Sequence, residues 1–324
     1  MAKYLVTGAA GFIGSSLVEA LLERGDAVRG IDNFVTGQRA NLAPFLARMD
    51  FREADLRDAE AMRSACEGVE VIFHEGALPS VPRSVREPAP SHDANINGTF
   101  TLLEAARAAG VRRIVYAASS SAYGNQPGLP RRESMAPAPI SPYAVQKLTG
   151  ELYMKSYWQV YGLETACLRY FNIFGPRQAP DSPYSGVMAK FILQMLRGER
   201  PTIFGDGAQG RDFTFIANAV SANLLAAAAP AGNLAGRTFN IACGGRHTLN
   251  ETYGILARLL NFPHPAQYGA PRVGDITDSE ADISAAREAF GYEPMISFED
   301  GLRLTVDWYR KSFAQEVGSR APVS

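Results

Sequence analysis

The sequence predicts an α/β protein: a doubly wound parallel sheet with a smaller C-terminal lobe. Three observations carry that expectation. Short apolar runs alternate with helical patterns through the first half of the chain. A glycine-punctuated turn joins the first run to the first helix. Beyond Asn172 the rhythm breaks into loops rich in Pro and Gly.

The elements follow in order. Lys3–Thr7 reads as a short apolar strand, and Phe12, Ile13, Leu17, Leu21 and Leu22 recur at helical spacing after it. Further strands are expected at 27–31, 49–53, 70–74 and 112–118, each preceded by a helical or loop segment. Parallel neighbours need crossover connections, so this alternation implies helices on both faces of one sheet. A long helical pattern runs over 141–161, and Glu164–Tyr170 is another strand. Loops at 175–186, 205–210 and 263–274 mark the second lobe. The expected division is residues 1–170 for the sheet domain and 171–324 for the lobe, with some segments returning to the sheet. From about residue 315 the periodicity is lost, and the end is expected to fray.

At 324 residues and 46% hydrophobic, the chain can bury a full core. Lys and Arg total 32 against 33 for Asp and Glu, a net charge of -1, which gives no case for a nucleic-acid partner or an acidic membrane surface. The N-terminus lacks the charged region, apolar run and cleavage site of a signal peptide, and no run approaches the roughly 18 apolar residues of a membrane span. A cytoplasmic protein is expected. Cys66, Cys167 and Cys243 are odd in number and far apart, and read as buried small hydrophobes. His74, His92, His247 and His264 show no ligand spacing, so no metal is expected; His74, at a strand end, reads as a hydrogen-bonded structural residue.

Thr7-Gly8-Ala9-Ala10-Gly11-Phe12-Ile13-Gly14 places glycines where a strand gives way to a helix. The first permits a tight turn, the second close approach of a pyrophosphate and the third close helix packing, while the helix N-terminus offers unpaired N–H groups. Taken alone this is also an ordinary turn. Asp32, ending the second strand, shifts the balance, because an acid there binds ribose hydroxyls and repels a 2'-phosphate; Asn33 and Phe34 add no positive charge. The sheet is therefore of Rossmann type and the cofactor NAD. Asp55 and Leu56, after the third strand, are placed to contact adenine, although a solvated loop acid fits Asp55 equally well.

Ser141-Pro142-Tyr143-Ala144-Val145-Gln146-Lys147 resembles a helix start, with Ser141 as N-cap and Pro142 in the first turn. Tyr143 and Lys147 lie four apart on one face. A tyrosine acting as a base near neutrality needs its pKa lowered by roughly 3 units from about 10, and one positive charge at ~4 Å supplies about that much. Lys147 is expected to supply it, with the oxidised nicotinamide and the helix N-terminus adding to it. The rival is a surface Tyr, with Lys147 paired to Glu151 one turn on. Ser119, just past the fifth strand at the carboxyl edge, adds a hydroxyl able to bridge substrate and tyrosine.

These residues resemble the extended short-chain dehydrogenase/reductase family, specifically the UDP-hexose 4-epimerases. The resemblance runs from Thr7-Gly8 to about Trp308, through Tyr123-Gly124, Leu168-Arg169-Tyr170-Phe171-Asn172, Gly205-Asp206-Gly207 and Arg211-Asp212-Phe213. It implies that Ser119 orients the sugar, with Ser121 a second contact, and that Ala77, Asn95 and Tyr170 join the NAD site, Tyr170 against the nicotinamide. It further implies that Asn172, Val187, Arg211, Arg272 and Asp275 hold the UDP-sugar, the two arginines on the diphosphate. Ser80 and Gln178 match epimerases of N-acetylhexosamines. Ser279 falls at the family's gate position, where a small residue leaves room for an N-acetyl group. The implied reaction is oxidation at C4, turning of the 4-keto sugar and re-reduction. Helices near 102–109 and 145–157 are expected to pair in a homodimer, as in that family.

Alternatives remain within the fold. A UDP-glucuronate 4-epimerase differs by an arginine-containing loop where this chain has Arg177-Gln178-Ala179-Pro180. Dehydratases and decarboxylases carry an acid beside the active hydroxyl, where this chain has Ser120, Ser121 and Ala122. From a different class, a non-catalytic nucleotide-binding protein would be expected to lose Tyr143 or Lys147.

Overall fold

The computed structural model describes residues 3–179, 186–271 and 278–319. Its centre is a sheet of seven parallel strands: β1 (Lys3–Thr7), β2 (Ala27–Asp32), β3 (Asp50–Glu53), β4 (Val71–His74), β5 (Arg113–Ser119), β6 (Glu164–Tyr170) and β7 (Thr238–Ile241), in the order β7-β6-β5-β4-β1-β2-β3. The central strands read as continuous apolar runs because both faces are covered. One face sends Val6, Phe73, Val115 and Leu168 into a core shared with helices α1 (Phe12–Glu23) and, from the second half of the chain, Ile216–Ala228. The other sends Leu5, Ile72, Ile114 and Cys167 against α2 (Ala59–Cys66), α3 (Gly98–Ala108) and α4 (Pro142–Tyr161). Strand parity thus sorts the helices.

Six strands match the sequence expectation to within a residue or two. β7 was not foreseen: it comes from the irregular second half and pairs with β6, Phe239 opposite Leu168. Over 315–319 the expected fraying does not occur in the backbone, since α5 (Phe298–Ser319) runs through to Ser319; the rest of that end lies outside the described residues. Cys66 and Cys167 are buried, whereas Cys243 is only half-buried, its Sγ accepting from Asn218.

The chain enters at β1, builds β2 and β3 on one side, then crosses to build β4, β5 and β6 on the other. This reversal opens a crevice at the carboxyl ends of β1 and β4. Around it the second half adds short strand pairs: Ile173–Phe174 with Thr214–Phe215, Thr202–Phe204 with Gln267–Gly269, and Gly210–Arg211 between His247–Thr248 and Asp278–Ser279. Buried Asp212 ties these loops together, accepting from the backbone N–H groups of Cys243 (2.9 Å), Gly244 (3.0 Å) and Ala281 (3.3 Å).

Candidate active site

The glycine turn after β1 is built for close approach. Gly8 has φ +66°, a left-handed conformation that L side chains rarely adopt, and a Cβ there would lie 2.8 Å from the Gly76 backbone. A Cβ on Gly14 would lie 2.1 Å from the Gly8 carbonyl oxygen. α1 starts from Gly11 with no side-chain cap, so its first N–H groups face the crevice without an internal competitor. Asp32 is buried at the end of β2; its carboxylate accepts from Ala10 N–H (2.9 Å) and Phe34 N–H (2.7 Å). Burial raises its pKa against the pull of those bonds.

A cavity of about 230 Å³ runs beside Asp32 and is lined by Gly8, Ile31, Asn33, Asp55, Leu56, Gly76 and Ala77. Asp55 is no free loop acid. It bonds Arg57 (2.8 and 2.9 Å) and Asn33 (2.8 Å), which hold its carboxyl well below the usual carboxylate range. A cation near Phe34 escaped the sequence reading: Arg39 lies 3.9 Å over its ring. It bonds both Glu53 carboxylate oxygens at 2.8 Å, a pairing that sets it against Glu53. Asn95 lies behind this wall. Its amide accepts from Leu78 N–H (2.7 Å) and donates to Leu78 O (3.1 Å) and Gln146 (2.8 Å), fixing the loop after β4.

A second cavity, about 340 Å³, continues from Asp32 and is lined by Gly8, Gly11, Phe12, Ile13, Gly14, Glu75, Ala77, Ser80, Tyr143, Lys147, Tyr170 and Gln178. Here the expected catalytic residues meet. Ser141 caps α4, accepting from Ala144 N–H (3.2 Å), with Pro142 in the first turn. Tyr143 N–H donates to Ser84 Oγ (3.0 Å), so a second loop fixes the same turn. Ser119 lies near enough to the Tyr143 phenol to lower its pKa. Ser119 Oγ in turn accepts from Ser121 Oγ (2.8 Å) and Ser121 N–H (3.2 Å). Lys147 is buried and donates to the Ala117 carbonyl (2.7 Å), its ammonium 4.9 Å from the Tyr116 ring centroid.

The rival reading of this pair does not hold. Glu151 is not the partner of Lys147: it forms a buried ion pair with Arg169, Nε to Oε1 2.8 Å and Nη2 to Oε2 2.7 Å. Nor does Lys147 alone lower Tyr143. Burial and the nearby Glu75 carboxyl push the phenol up to about 12, against the pull of Ser119. Burial pushes Lys147 down from the usual ammonium range, with Glu75 and Glu151 opposing. The polypeptide by itself holds Tyr143 protonated.

Glu75 was missed in the sequence. It lines the cavity directly after β4, and the Tyr170 phenol donates to its Oε1 (2.9 Å) while Asn223 Nδ2 donates to the Tyr170 oxygen (2.7 Å). Its signal was a carboxylate following a wholly buried apolar strand. His74, one residue before, has the structural role expected, with Thr7 Oγ1 at 2.8 Å and Thr99 Oγ1 at 2.9 Å.

Gln178 also lines a third cavity, about 470 Å³, with Asn172, Val187 and Arg211, which joins the two chambers. Asn172 has φ +39° and donates to Asp212 O (2.9 Å) and Ser279 Oγ (3.1 Å). Ser279 is buried, opposite Arg211 in strand register, so its small side chain belongs to the Asn172 wall. Lys190, Thr202, Phe204, Gln209 and Leu249 line this cavity unforeseen, because only the fold brings their segments together. Arg272 and Asp275 lie outside the described residues.

Residues 4–242 match the family described as the NAD dependent epimerase/dehydratase family. The chain is 39% identical to a UDP-glucose 4-epimerase of Mycolicibacterium smegmatis over 95% of this chain and 98% of that one. Among solved structures it resembles the UDP-N-acetylglucosamine 4-epimerase from Methanobrevibacter ruminantium in complex with UDP-N-acetylmuramic acid (38% identity, TM-score 0.91, 96% of this chain and 99% of that one). It also resembles the Thermus thermophilus UDP-glucose 4-epimerase in complex with NAD (35% identity, TM-score 0.86, 95% and 99%).

Proposed function

The chain belongs to the NAD dependent epimerase/dehydratase family, and we propose that it inverts C4 of a UDP-hexose, UDP-glucose/UDP-galactose and the N-acetylated pair UDP-GlcNAc/UDP-GalNAc. The observation that carries this reading is Tyr143 and Lys147 in the wall of one cavity, with Ser119 acting on the Tyr143 phenol, beside a second, cation-lined chamber that shares Gln178.

The residues present fit NAD. The uncapped α1 N-terminus and the glycine turn suit its pyrophosphate, Asp32 the adenine ribose, and the chamber of Leu56, Asp55 and Ala77 the adenine. Bound NAD supplies a reversible acceptor for the C4 hydride and is not consumed. Tyr143 takes the proton of the sugar 4-hydroxyl as C4 is oxidised, and Ser119 holds that oxygen. Because the protein keeps Tyr143 high, deprotonation depends on positive charge that Lys147 shares with the cofactor. The 4-keto sugar turns so that the opposite face of C4 takes the hydride back, and Tyr143 returns its proton to O4. Asn172, Gln178, Val187 and Arg211, with Arg272 and Asp275, hold UDP while the hexose moves. Ser80, Ser121 and Ser279 leave the sugar side small and polar. Ser120, Ser121 and Ala122 follow Ser119 with no carboxylate, and Glu75 is bonded to Tyr170, so elimination of water lacks its acid/base beside the reacting hydroxyl.

Val145 and Leu152 on α4 and Phe100 on α3 are exposed apolar residues, and Phe100 packs on Tyr153 of α4. Such a stripe suits a homodimer in which these helices pair across a two-fold axis. Among the described residues no helix is long and apolar enough to cross a membrane.

The test is direct. Purified protein is incubated, without added NAD, with UDP-glucose, UDP-N-acetylglucosamine and UDP-glucuronate, and anomeric proton NMR follows the C4 epimer. Conversion of either of the first two is expected. Conversion of the uronate alone would replace this substrate assignment with a uronate epimerase, and no conversion of any would overturn 4-epimerisation.

A further inference from the structure

Glu75 is a carboxyl group that the reaction above leaves without a task. It projects from the carboxyl end of β4 into the cofactor cavity, on the same face of the sheet as Tyr170. Tyr170 reaches back over β5 to donate to it (2.9 Å), and Asn223, on helix Ile216–Ala228, donates to Tyr170 (2.7 Å). This chain of bonds fixes the carboxyl group on one wall. Lys147 enters the same cavity from α4 on the other face, close enough that each charge acts on the other. Burying a carboxylate is costly unless a compensating charge arrives. Lys147 supplies part of it, yet burial still pushes the Glu75 pKa up.

Resting on the assignment of NAD to this cavity, we propose that Glu75 is a positioning residue that balances charge there: its carboxylate, fixed by Tyr170 and Asn223, favours the oxidised, cationic nicotinamide over the reduced, neutral one. The consequence for epimerisation is directional. A site that prefers the oxidised cofactor drives hydride back onto the keto sugar, and the half-finished reaction does not accumulate. The two redox forms share the same pyrophosphate, riboses and adenine, so contacts from Asp32, Asp55 and the α1 N-terminus cancel in the ratio of their affinities. Charge at the nicotinamide end does not cancel.

The experiment equilibrates the holoprotein with mixtures of NAD and NADH and reads the bound reduced fraction by its near-ultraviolet absorbance after removal of free nucleotide. Glu75→Gln keeps an oxygen able to accept from Tyr170 and removes the charge. Its preference for the oxidised form is expected to fall by about tenfold or more, the order expected for losing one nearby charge in a partly dry site. A ratio within about twofold of wild type would overturn the proposal, even if both forms bind more weakly.

Should that variant not fold, wild type carries the same test through pH. The titratable groups facing Glu75 are Lys147 and Tyr143 from α4, Tyr116 from β5, Tyr170 from β6 and His74 from its own strand. Toward acid, Lys147, pushed down by burial to about 8, has taken up its proton by about pH 7, the phenols are neutral, and burial holds His74 down to about 3. Below that pH, Glu75 is the member of this set that gains a proton, so the preference for the oxidised form should fall between roughly pH 7 and pH 5.5. A flat ratio across that range overturns the proposal. No sugar nucleotide is present, so this outcome leaves the epimerase assignment standing, and a protein that turns over no UDP-sugar can still show the ratio.

Discussion

Tyr143 is kept as a phenol by its own protein, and that sets what its removal should do. Tyr143→Phe takes away the proton acceptor while leaving the ring that fills the cavity wall. We expect epimerisation to fall about a thousandfold, with NAD still bound, by anomeric NMR and cofactor content. Full activity would remove Tyr143 from the reaction. His74 gives a pH prediction of the opposite kind, on stability. Burial holds its imidazole down to about 3 against an ordinary 6.5, so the folded state binds fewer protons than the unfolded state between those values. Its contribution is full above 6.5 and is lost as pH falls toward 3, at about 1.4 kcal/mol per pH unit. Urea unfolding at about pH 7 and about pH 4.5 should show roughly 3 kcal/mol more acid loss in wild type than in His74→Gln; equal losses would refute it. At this scale the sequence was legible where spacing is local. The glycines, Asp32, and Tyr143 with Lys147 follow from one turn or one helix. Glu75 with Tyr170 and Asn223, and Lys190 with Thr202 and Leu249, could not be read, because their meeting depends on strands and helices distant in sequence. The surface pairing of Lys147 with Glu151 failed for the same reason: Arg169, on β6 beneath the helix, takes Glu151.

The glycine turn and α1 act as one element, and so they should fail as one. Gly14→Ala places a Cβ against the Gly8 carbonyl, forcing the helix off the strand end. A loss of about 1–3 kcal/mol in thermal unfolding is expected, with depleted NAD in the purified protein. Full retention of cofactor would show that the turn tolerates the shift. Ser141→Ala removes the cap of α4 and should cost about 1 kcal/mol, with a frayed first turn that loosens Tyr143. The elements of the first half were legible because each parallel strand is a continuous apolar run between helical patterns. β7 was not, since Thr238–Ile241 is four residues long and reads as one more short segment of the second lobe. Fraying was expected from about residue 315 because the last turns lack an apolar period, while the backbone of α5 continues to Ser319.

For the whole molecule, the exposed stripe on α3 and α4 predicts a dimer. Leu152 is 61% exposed, and Leu152→Glu should give a monomer by light scattering at concentrations where wild type is dimeric, with little change in unfolding of the isolated chain. A wild type that is itself monomeric would remove the interface. The position of β7 has a consequence for how the protein is made. After Tyr170 has been synthesised the sheet holds six strands, and β6 presents a row of unpaired N–H and C=O groups at its edge. The strand that closes that edge is made about seventy residues later, roughly 4–14 s at ordinary rates of translation. During that interval the nascent chain carries an open template for pairing with a neighbouring chain, and a chaperone that shields β6 would be protecting the sheet rather than the active site.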